Sequence, residues 1–297
     1  MKALIPRRVQ IETVFGCPES CVMCAVHAPT GRTPGIMDID TFNRIIANMK
    51  PWRDSIEMLD LVGLGEPLVD PTLTDKIIHA KREGFRNLAF TTNGVLLNDR
   101  RRNDILETGI ETVIFSIYGS NQEIHDSVMI TGHFDEIEHN IREMITLRDS
   151  RRHSTRFILI FIRQEANIDD WDNCVSRWWK HLNPTRRDMM IRYDRHSWGG
   201  VHKDFIDPWE SACPSPCPVL SKRMTVLVDG TVPMCCMDAH RCRHRMGDIV
   251  RDDIATIYNN ERFKDIRKRH EHGLMSSVPL CGTCTIHLSE TSRITVS

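Results

Sequence analysis

Cys17, Cys21 and Cys24, in Gly16-Cys17-Pro18-Glu19-Ser20-Cys21-Val22-Met23-Cys24, have a spacing that lets three thiolates surround one iron–sulfur cube. Three sulfurs leave one iron without a protein ligand, much as a catalytic zinc keeps one position open where a structural zinc is closed. An open corner binds something else, so the spacing implies chemistry as well as architecture. A three-cysteine zinc site completed by His27 is the competing reading. A second group of thiols, Cys213, Cys217, Cys235, Cys236, Cys242, Cys281 and Cys284, lies in the last third of the chain. A hairpin with the Cys281-Gly282-Thr283-Cys284 knuckle also suits a four-cysteine zinc ribbon. The remaining thiol, Cys174, falls on an amphipathic helical pattern near Trp171 and Trp178 and reads as a buried, inert cysteine.

The whole chain limits what these sites can serve. Eleven cysteines in 297 residues is an odd count, grouped as C-x3-C and C-x2-C, which fits metal ligation in a reducing compartment better than a secreted disulfide framework. The 39 basic and 40 acidic side chains leave a net charge of -1, so no global field exists to hold nucleic acid or an anionic membrane. No stretch approaches the roughly 18 consecutive apolar residues of a membrane span, and the segment before Pro6 is too short for a signal peptide. The expectation is a soluble, cytoplasmic protein without a nucleic-acid or membrane partner.

The elements that must position the thiols follow from periodicity. Apolar runs at Arg8–Thr13, Ile56–Gly63, Asn87–Thr91, Thr112–Ile117, Arg156–Ile162 and Met189–Tyr193 predict strands. Amphipathic patterns at Ile39–Met49, Leu73–Glu83, Asp99–Thr108, Asp135–Leu147 and Asp169–His181 predict the helices between them. Strand-then-helix repetition predicts an α/β fold with a parallel sheet, whose working rim is the C-terminal ends of the strands. The first cysteine triplet follows the first strand directly, which places it on that rim. Near residue 205 the character changes: Asp207-Pro208, Pro214, Pro216 and Pro218 break helices and the cysteine density rises. This sets a boundary between residues 1–205 and 206–297. The later segment is expected to hold a hairpin, Arg223–Val228 and Thr231–Met234 around Asp229-Gly230, and a helix over Asp253–His270. The charged run Lys264–His272 reads as a solvated helix face.

With these residues in place, the C-x3-C-x2-C loop after strand one resembles the signature of the radical S-adenosylmethionine (SAM) enzymes. The resemblance implies a partial (β/α)6 TIM-like barrel and a [4Fe–4S] cluster on Cys17, Cys21 and Cys24. It also implies SAM at the open iron, cleaved to a 5′-deoxyadenosyl radical. Gly63-Leu64-Gly65-Glu66-Pro67 resembles the family's glycine–glutamate motif, with Leu64 interrupting the usual double glycine, and implies that Gly65 and Glu66 meet the SAM amino group. Thr91-Thr92-Asn93-Gly94 resembles the T-x-N-G turn beside SAM, which implicates Thr92 and Asn93. Ser116 resembles the serine near the SAM carboxylate or ribose, and Arg163 after strand five has the fork to pair with that carboxylate. The segment from Gly119 through Ile141, with His125-Asp126 and Thr131-Gly132, resembles the family's lead into the fourth helix.

The pattern Cys217, hairpin, Cys235, helix, Cys281-x2-Cys284, with Gly247-Asp248-Ile249, resembles the SPASM/twitch module, a small C-terminal cysteine-rich domain. It implies an auxiliary [4Fe–4S] cluster on Cys217, Cys235, Cys281 and Cys284, with Cys213 as an alternative or additional ligand. Cys236 follows a ligand directly; on extended backbone it faces the opposite side, toward the substrate. Some radical SAM epimerases resemble this arrangement, which implies Cys236 as a hydrogen donor, with Cys242 as second choice. The leading expectation is an epimerase of a sugar or aminoglycoside-type small molecule, supplied with electrons by a flavodoxin or ferredoxin. Three alternatives stand beside it: a dehydrogenase of an aminocyclitol alcohol, a peptide-modifying enzyme, and a non-catalytic zinc- or iron-binding module or redox sensor. The peptide reading is weakened because the chain begins almost at strand one and ends soon after Cys284, without an obvious leader-binding domain. Asp194, Arg195, His196 and Trp198 after strand six are candidate pocket residues, and an acidic rim is the feature expected for a polycationic substrate.

Overall fold

Apolar runs flanked by amphipathic helices assemble into a sheet buried on both faces. The computed structural model describes residues 3–130, 132–205, 216–286 and 293–297. Thr131, Asp207, Pro208, Cys213 and Pro214, all singled out above, lie outside the described residues. Six parallel strands lie side by side in chain order: β1 (Arg8–Ile11), β2 (Met58–Leu61), β3 (Leu88–Thr92), β4 (Thr112–Ser116), β5 (Arg156–Arg163) and β6 (Met189–Asp194). Their crossovers carry α1 (Ile39–Met49), α2 (Leu73–Arg82), α3 (Asp99–Glu107), α4 (Gln122–Met129), α5 (Phe134–Ser150) and α6 (Trp171–Trp178). This is the mixed α/β, TIM-like arrangement expected. Val9, Ile11, Leu59, Leu61, Phe90, Phe115 and Phe157 are fully buried, as strands covered on both faces require.

Local signals set the helix starts. The side chains of Asp38, Asn98 and Asn121 accept from the backbone N–H of Thr41 (2.8 Å), Arg101 (3.0 Å) and Ile124 (3.0 Å), capping α1, α3 and α4. Helix α4 is an addition to the sequence expectation, which had only a lead-in segment there. It is short and ends at Ile130 in the left-handed region (φ 70°).

The C-terminal part departs from expectation in two ways. After α7 (Pro218–Lys222), the chain forms β7 (Arg223–Val226), β8 (Thr231–Pro233), β9 (Arg245–Asp248), α8 (Ile254–Tyr258), α9 (Glu261–Glu271) and β10 (Ile294–Val296). The Asp229-Gly230 turn forms, with Leu227 N–H donating to Thr231 O at 2.8 Å, but its two arms do not make a separate hairpin. Instead β7 joins the main sheet parallel to β1, Arg8 opposite Arg223 through Ile11 opposite Val226, while β8 pairs antiparallel with β9. The exposed edge of β1 is the stronger template, because it offers a full row of backbone groups to an arm that can bury Met224, Thr225 and Val226. The single helix expected over Asp253–His270 is two, since Asn260 accepts from Phe263 N–H (3.0 Å) and starts α9 afresh. At the other edge β10 pairs antiparallel with β6, so the sheet runs β10-β6-β5-β4-β3-β2-β1-β7. The boundary at 205 therefore divides the sequence but not the sheet.

Candidate active site

The cluster loop leaves β1 and is tied to the neighbouring strand end by backbone contact. Gly16 N–H donates to Leu64 O (3.0 Å) and Glu66 N–H to Gly16 O (3.1 Å), so Gly16 and Gly65 bridge as strand neighbours. Gly65 is required by this approach: a Cβ there would overlap the Val14 carbonyl oxygen and lie 2.9 Å from Gly16 O. The loop then brings Cys17, Cys21 and Cys24 to the wall of a cavity of about 270 Å³ at the C-terminal ends of the strands. Gly65, Glu66, Thr92, Asn93 and Ser116 line the same cavity.

Glu66 is buried, and its carboxylate is oriented before any ligand arrives. One oxygen accepts from Leu68 N–H (3.0 Å) and Thr92 Oγ1 (2.7 Å), the other from Asn93 N–H (2.9 Å). Burial nonetheless dominates and pushes its pKa up to about 7, so the site favours a cation that restores the charged form. Asn93 joins this acid to the thiols, with its Nδ2 3.7 Å from Cys17 Sγ. Burial likewise raises the thiol pKa values of Cys17, up to about 12, and of Cys21 and Cys24, so that only a strongly positive centre holds all three as thiolates.

On the opposite wall Tyr118 hydrogen-bonds Ser116 and lines the cavity with Ile160 and Ile162. Arg163 is placed differently from expectation. It forms a bidentate pair with Asp194 (2.6 and 2.8 Å), its register partner across β5 and β6, and it is not part of the cavity wall. Arg195, one residue further on, lines the cavity with His196 and Trp198. Burial pushes the His196 imidazole down to about 4, leaving Arg195 as the positive charge on this wall. Trp198, in the left-handed region at φ 48°, donates from Nε1 to Met23 O (2.8 Å) and so straps the cluster loop.

The second thiol group assembles around the turns at Cys235 and Cys281. Burial, and then one another's charge, raises these thiols: Cys235 feels Cys236, Cys284 and Cys281, while Cys284 feels Cys217 and Cys236. The structure thus brings together Cys217, Cys235, Cys236, Cys281 and Cys284. Cys235 is extended (φ -161°, ψ 178°), but Cys236 opens a 3-10 turn, so the opposite-face argument stops there. Cys236 belongs with the auxiliary thiols and does not line the cavity. Cys242 packs elsewhere, on the small apolar cluster of Phe15, Val26 and Leu227 that also supports Cys17 and Cys24. Cys174 is buried, its Sγ 3.9 Å from Gly119 O.

Two connections were not visible in the sequence. Ser197 joins the strap at Trp198 to the auxiliary loop, its N–H donating to Thr285 Oγ1 (2.8 Å) and its Oγ to Thr283 O (2.8 Å). Fully buried Glu12 accepts from Leu64 N–H (3.1 Å), Val228 N–H (3.4 Å) and the Arg32 guanidinium, which stacks on Phe15 and donates to Ala239 O (2.7 Å). Glu12, a carboxylate inside the apolar run Arg8–Thr13, was the local signal for this clasp.

The residues fit iron–sulfur ligation. His27 Nε2 lies 2.7 Å from Glu19 O, and His27 is not among the residues that line the cavity with Cys17, Cys21 and Cys24. Among the described residues no three His, Cys, Asp or Glu side chains converge as a single metal ion needs. The donors are free, soft thiols, three of them on the wall of one cavity, which is the donor chemistry an iron–sulfur cluster takes. No helix among the described residues is long and apolar enough to cross a membrane.

Comparison with known proteins agrees with this geometry. The family model of the radical SAM superfamily matches residues 11–170, and that of the SPASM iron-sulfur cluster-binding domain matches residues 217–285. The cofactor-modifying protein of a tungsten-containing aldehyde ferredoxin oxidoreductase from Pyrococcus furiosus is 32% identical over 107 residues, 36% of this chain and 29% of that protein. Mycofactocin maturase MftC of Mycobacterium tuberculosis is 24% identical over 180 residues, 59% of this chain and 43% of its own length. The chain thus spans less than half the length of these curated relatives. Among solved structures, BtrN in complex with AdoMet and 2-DOIA superposes with a TM-score of 0.64 at 18% identity, covering 96% of this chain and 94% of BtrN. SuiB of Streptococcus suis bound to precursor peptide SuiA gives 0.67 at 12% identity, covering 96% of this chain and 71% of SuiB. anSMEcpe with bound AdoMet gives 0.67 at 14%, covering 93% and 88%.

Proposed function

The chain belongs to the radical SAM superfamily, and from that premise we propose that it is an epimerase that inverts a carbon centre of a small hydroxylated molecule. Its cofactors are a [4Fe–4S] cluster with SAM and an auxiliary iron–sulfur cluster in the SPASM domain. When bound, they supply one-electron cleavage of SAM and, through it, hydrogen-atom abstraction from a substrate C–H. The protein's share is placement and exclusion of stray donors. Cys17, Cys21 and Cys24 hold the first cluster, while Cys217, Cys235, Cys281 and Cys284 hold the second. Glu66, set by Thr92 and Asn93, takes the SAM ammonium. Arg195 replaces Arg163 as the cavity's cation, near Ser116.

One observation carries the epimerase reading: five thiols share one neighbourhood where a cube takes four. The surplus thiol, Cys236, stands off the cavity wall beside a centre able to restore it, so its role as hydrogen-atom donor requires a substrate that reaches from the cavity to the turn at Cys235. Cys242, which burial raises to about 11 and so keeps as S–H at neutral pH, is the second donor. The cavity wall supports a neutral or anionic sugar over a polycationic aminoglycoside. Among the described lining residues Glu66 is the one carboxylate, and its oxygens are already engaged, whereas Arg195 brings positive charge. The reaction needs an external one-electron donor such as a flavodoxin or ferredoxin, and a reducing cytoplasmic setting.

Turnover of candidate sugars in deuterium oxide tests this. One deuterium in an isomer of unchanged oxidation level is the epimerase outcome; a product lighter by two hydrogens makes the enzyme a dehydrogenase. Cys236→Ala is expected to release 5′-deoxyadenosine yet form no isomer, with Cys242→Ala turning over normally. The reverse pattern moves the donor to Cys242, and normal turnover by both variants sinks the thiol-donor mechanism.

A further inference from the structure

On the C-terminal domain, a groove of about 340 Å³ runs between the start of β9 and α9. Arg243, Arg245, Arg262 and Arg269 wall it against a single carboxylate, Asp265, and Val278 and Pro279 form one side. In a chain of net charge -1 this is a local concentration of positive charge rather than a general trend. Asp265 is spent on Arg269 (2.8 Å) and Asp248 on Arg245 (3.3 Å). Arg262 gives a hydrogen bond to Arg245 O (2.7 Å), and among the described residues neither it nor Arg243 has an ion-pair partner.

The groove is built onto the auxiliary thiols. Arg243 N–H and His244 N–H each donate to the Asp238 carboxylate at 2.9 Å, and Asp238 N–H donates to Cys235 O at 3.0 Å. On the other side Cys281 N–H donates to Val278 O at 2.9 Å. Anything seated between these walls is therefore held against the two turns that carry the auxiliary ligands. Met246 and Ile266 line the groove with Val278 and Pro279 and give it an apolar floor inside the charged rim. That is the anatomy of a protein interface, an apolar spot ringed by charge. A solvated helix face accounts for the intrahelical pairs of α9, but not for Arg262 and Arg243, which line one groove from α9 and from the chain before β9 and have no ion-pair partner among the described residues.

We infer that this groove docks a small acidic one-electron carrier, a reduced flavin or iron–sulfur protein, so that electrons enter at the auxiliary cluster. The carrier is oxidised by one electron and the auxiliary [4Fe–4S] centre is reduced by one, from the 2+ to the 1+ state, with no bond made or broken. Opposed charge steers such a partner and fixes its orientation. The inference rests on the two cofactors and holds for an epimerase or a dehydrogenase alike.

The test uses the two-cluster holoenzyme and an acidic flavodoxin in its hydroquinone form. Wild type is expected to bind it with an affinity that falls steeply as sodium chloride is raised. Arg243→Glu/Arg262→Glu should weaken binding by about tenfold or more, reversing two charges at a steered interface. It should slow flavodoxin-driven bleaching of the auxiliary cluster in parallel, while titanium(III) citrate reduces both proteins equally. Arg82→Glu/Arg86→Glu, a basic pair elsewhere on the surface, should change nothing. If the double reversal lowers iron content, Arg243→Gln/Arg262→Gln replaces it, with a smaller loss in the same direction. Unchanged binding in iron-replete variants, an equal loss with the remote pair, or a short RNA that displaces flavodoxin at lower concentration each overturns the assignment.

Discussion

Glu66 is held by three donors, and still its pKa stands at about 7, because a buried carboxylate without a cation pays more in lost hydration than neutral hydrogen bonds return. With Glu66 as the proposed partner of the SAM ammonium, that balance predicts a pH dependence of SAM binding with a definite sign. Below about pH 7 the carboxyl is neutral and must lose its proton to pair with the SAM ammonium, so affinity falls by up to tenfold per unit of pH; above it, affinity is flat. The apoprotein behaves oppositely: its raised folded pKa makes it less stable as pH rises from about 4.5 to about 7. Glu66→Gln keeps the shape and removes the titration. It should abolish the slope and weaken SAM binding at pH 8 by about 10- to 100-fold, from the loss of roughly 1.5–3 kcal/mol of charge-assisted hydrogen bonding. Anaerobic equilibrium titration from pH 5.5 to 8 reads both quantities, and a variant with wild-type affinity would remove Glu66 from the SAM site.

Between elements, the Glu12–Arg32 clasp joins the cluster loop, the Gly63–Glu66 turn and the chain around Val228 and Ala239. Arg32→Leu leaves Glu12 buried on two backbone donors, and breaking a buried pair from one side costs about 3–5 kcal/mol. Arg32 lowers the Glu12 pKa against the larger raising effect of burial, so its loss pushes that value higher still. The folded carboxyl is then neutral where the unfolded one is ionised, and the deficit must grow as pH rises above about 4.3. Thermal denaturation at pH 5 and pH 8 should show this, with Glu12→Gln in the Arg32→Leu background recovering part of the loss at pH 8. A variant as stable as wild type at pH 8 would show that the clasp holds nothing. Such a contact is illegible in sequence, where 20 residues separate its partners and 207 separate Arg32 from Ala239. The placing of Cys17, Cys21 and Cys24 on one cavity wall was legible because they are four and three residues apart on one turn after a strongly apolar strand. Asp229-Gly230 signalled its turn correctly, but not that the first arm would leave its partner for β1, since pairing is decided by which edge stands open. Arg163 likewise looked correct at a strand end, and only the β5–β6 register shows that Asp194 claims it.

At the scale of the molecule, the SPASM segment is part of the barrel's walls. Strand β7 covers β1, with Arg7 N–H to Lys222 O and Glu12 N–H to Val226 O both at 2.9 Å extending the ladder, and β10 covers β6 at the far edge. Both ends of a six-stranded parallel sheet are thus closed by chain from beyond residue 205. Truncation after residue 205 opens both edges, strips Glu12 of Val228 N–H and Arg32 of Ala239 O, and uncovers β1, which leads directly to Cys17. An open edge beside buried apolar strands is a template for association. The fragment 1–205 is therefore expected to aggregate on expression and to show no cooperative thermal transition, although it contains Cys17, Cys21 and Cys24, the ligands proposed for the first cluster. Full-length protein, by contrast, should carry about eight irons as two cubes, and Cys17→Ala/Cys21→Ala/Cys24→Ala about four, with its fold intact. The two outcomes separate a domain that merely adds a cluster from one that completes the sheet. A monomeric 1–205 fragment with a cooperative transition and about four irons would mean that the six strands close without the chain that follows them.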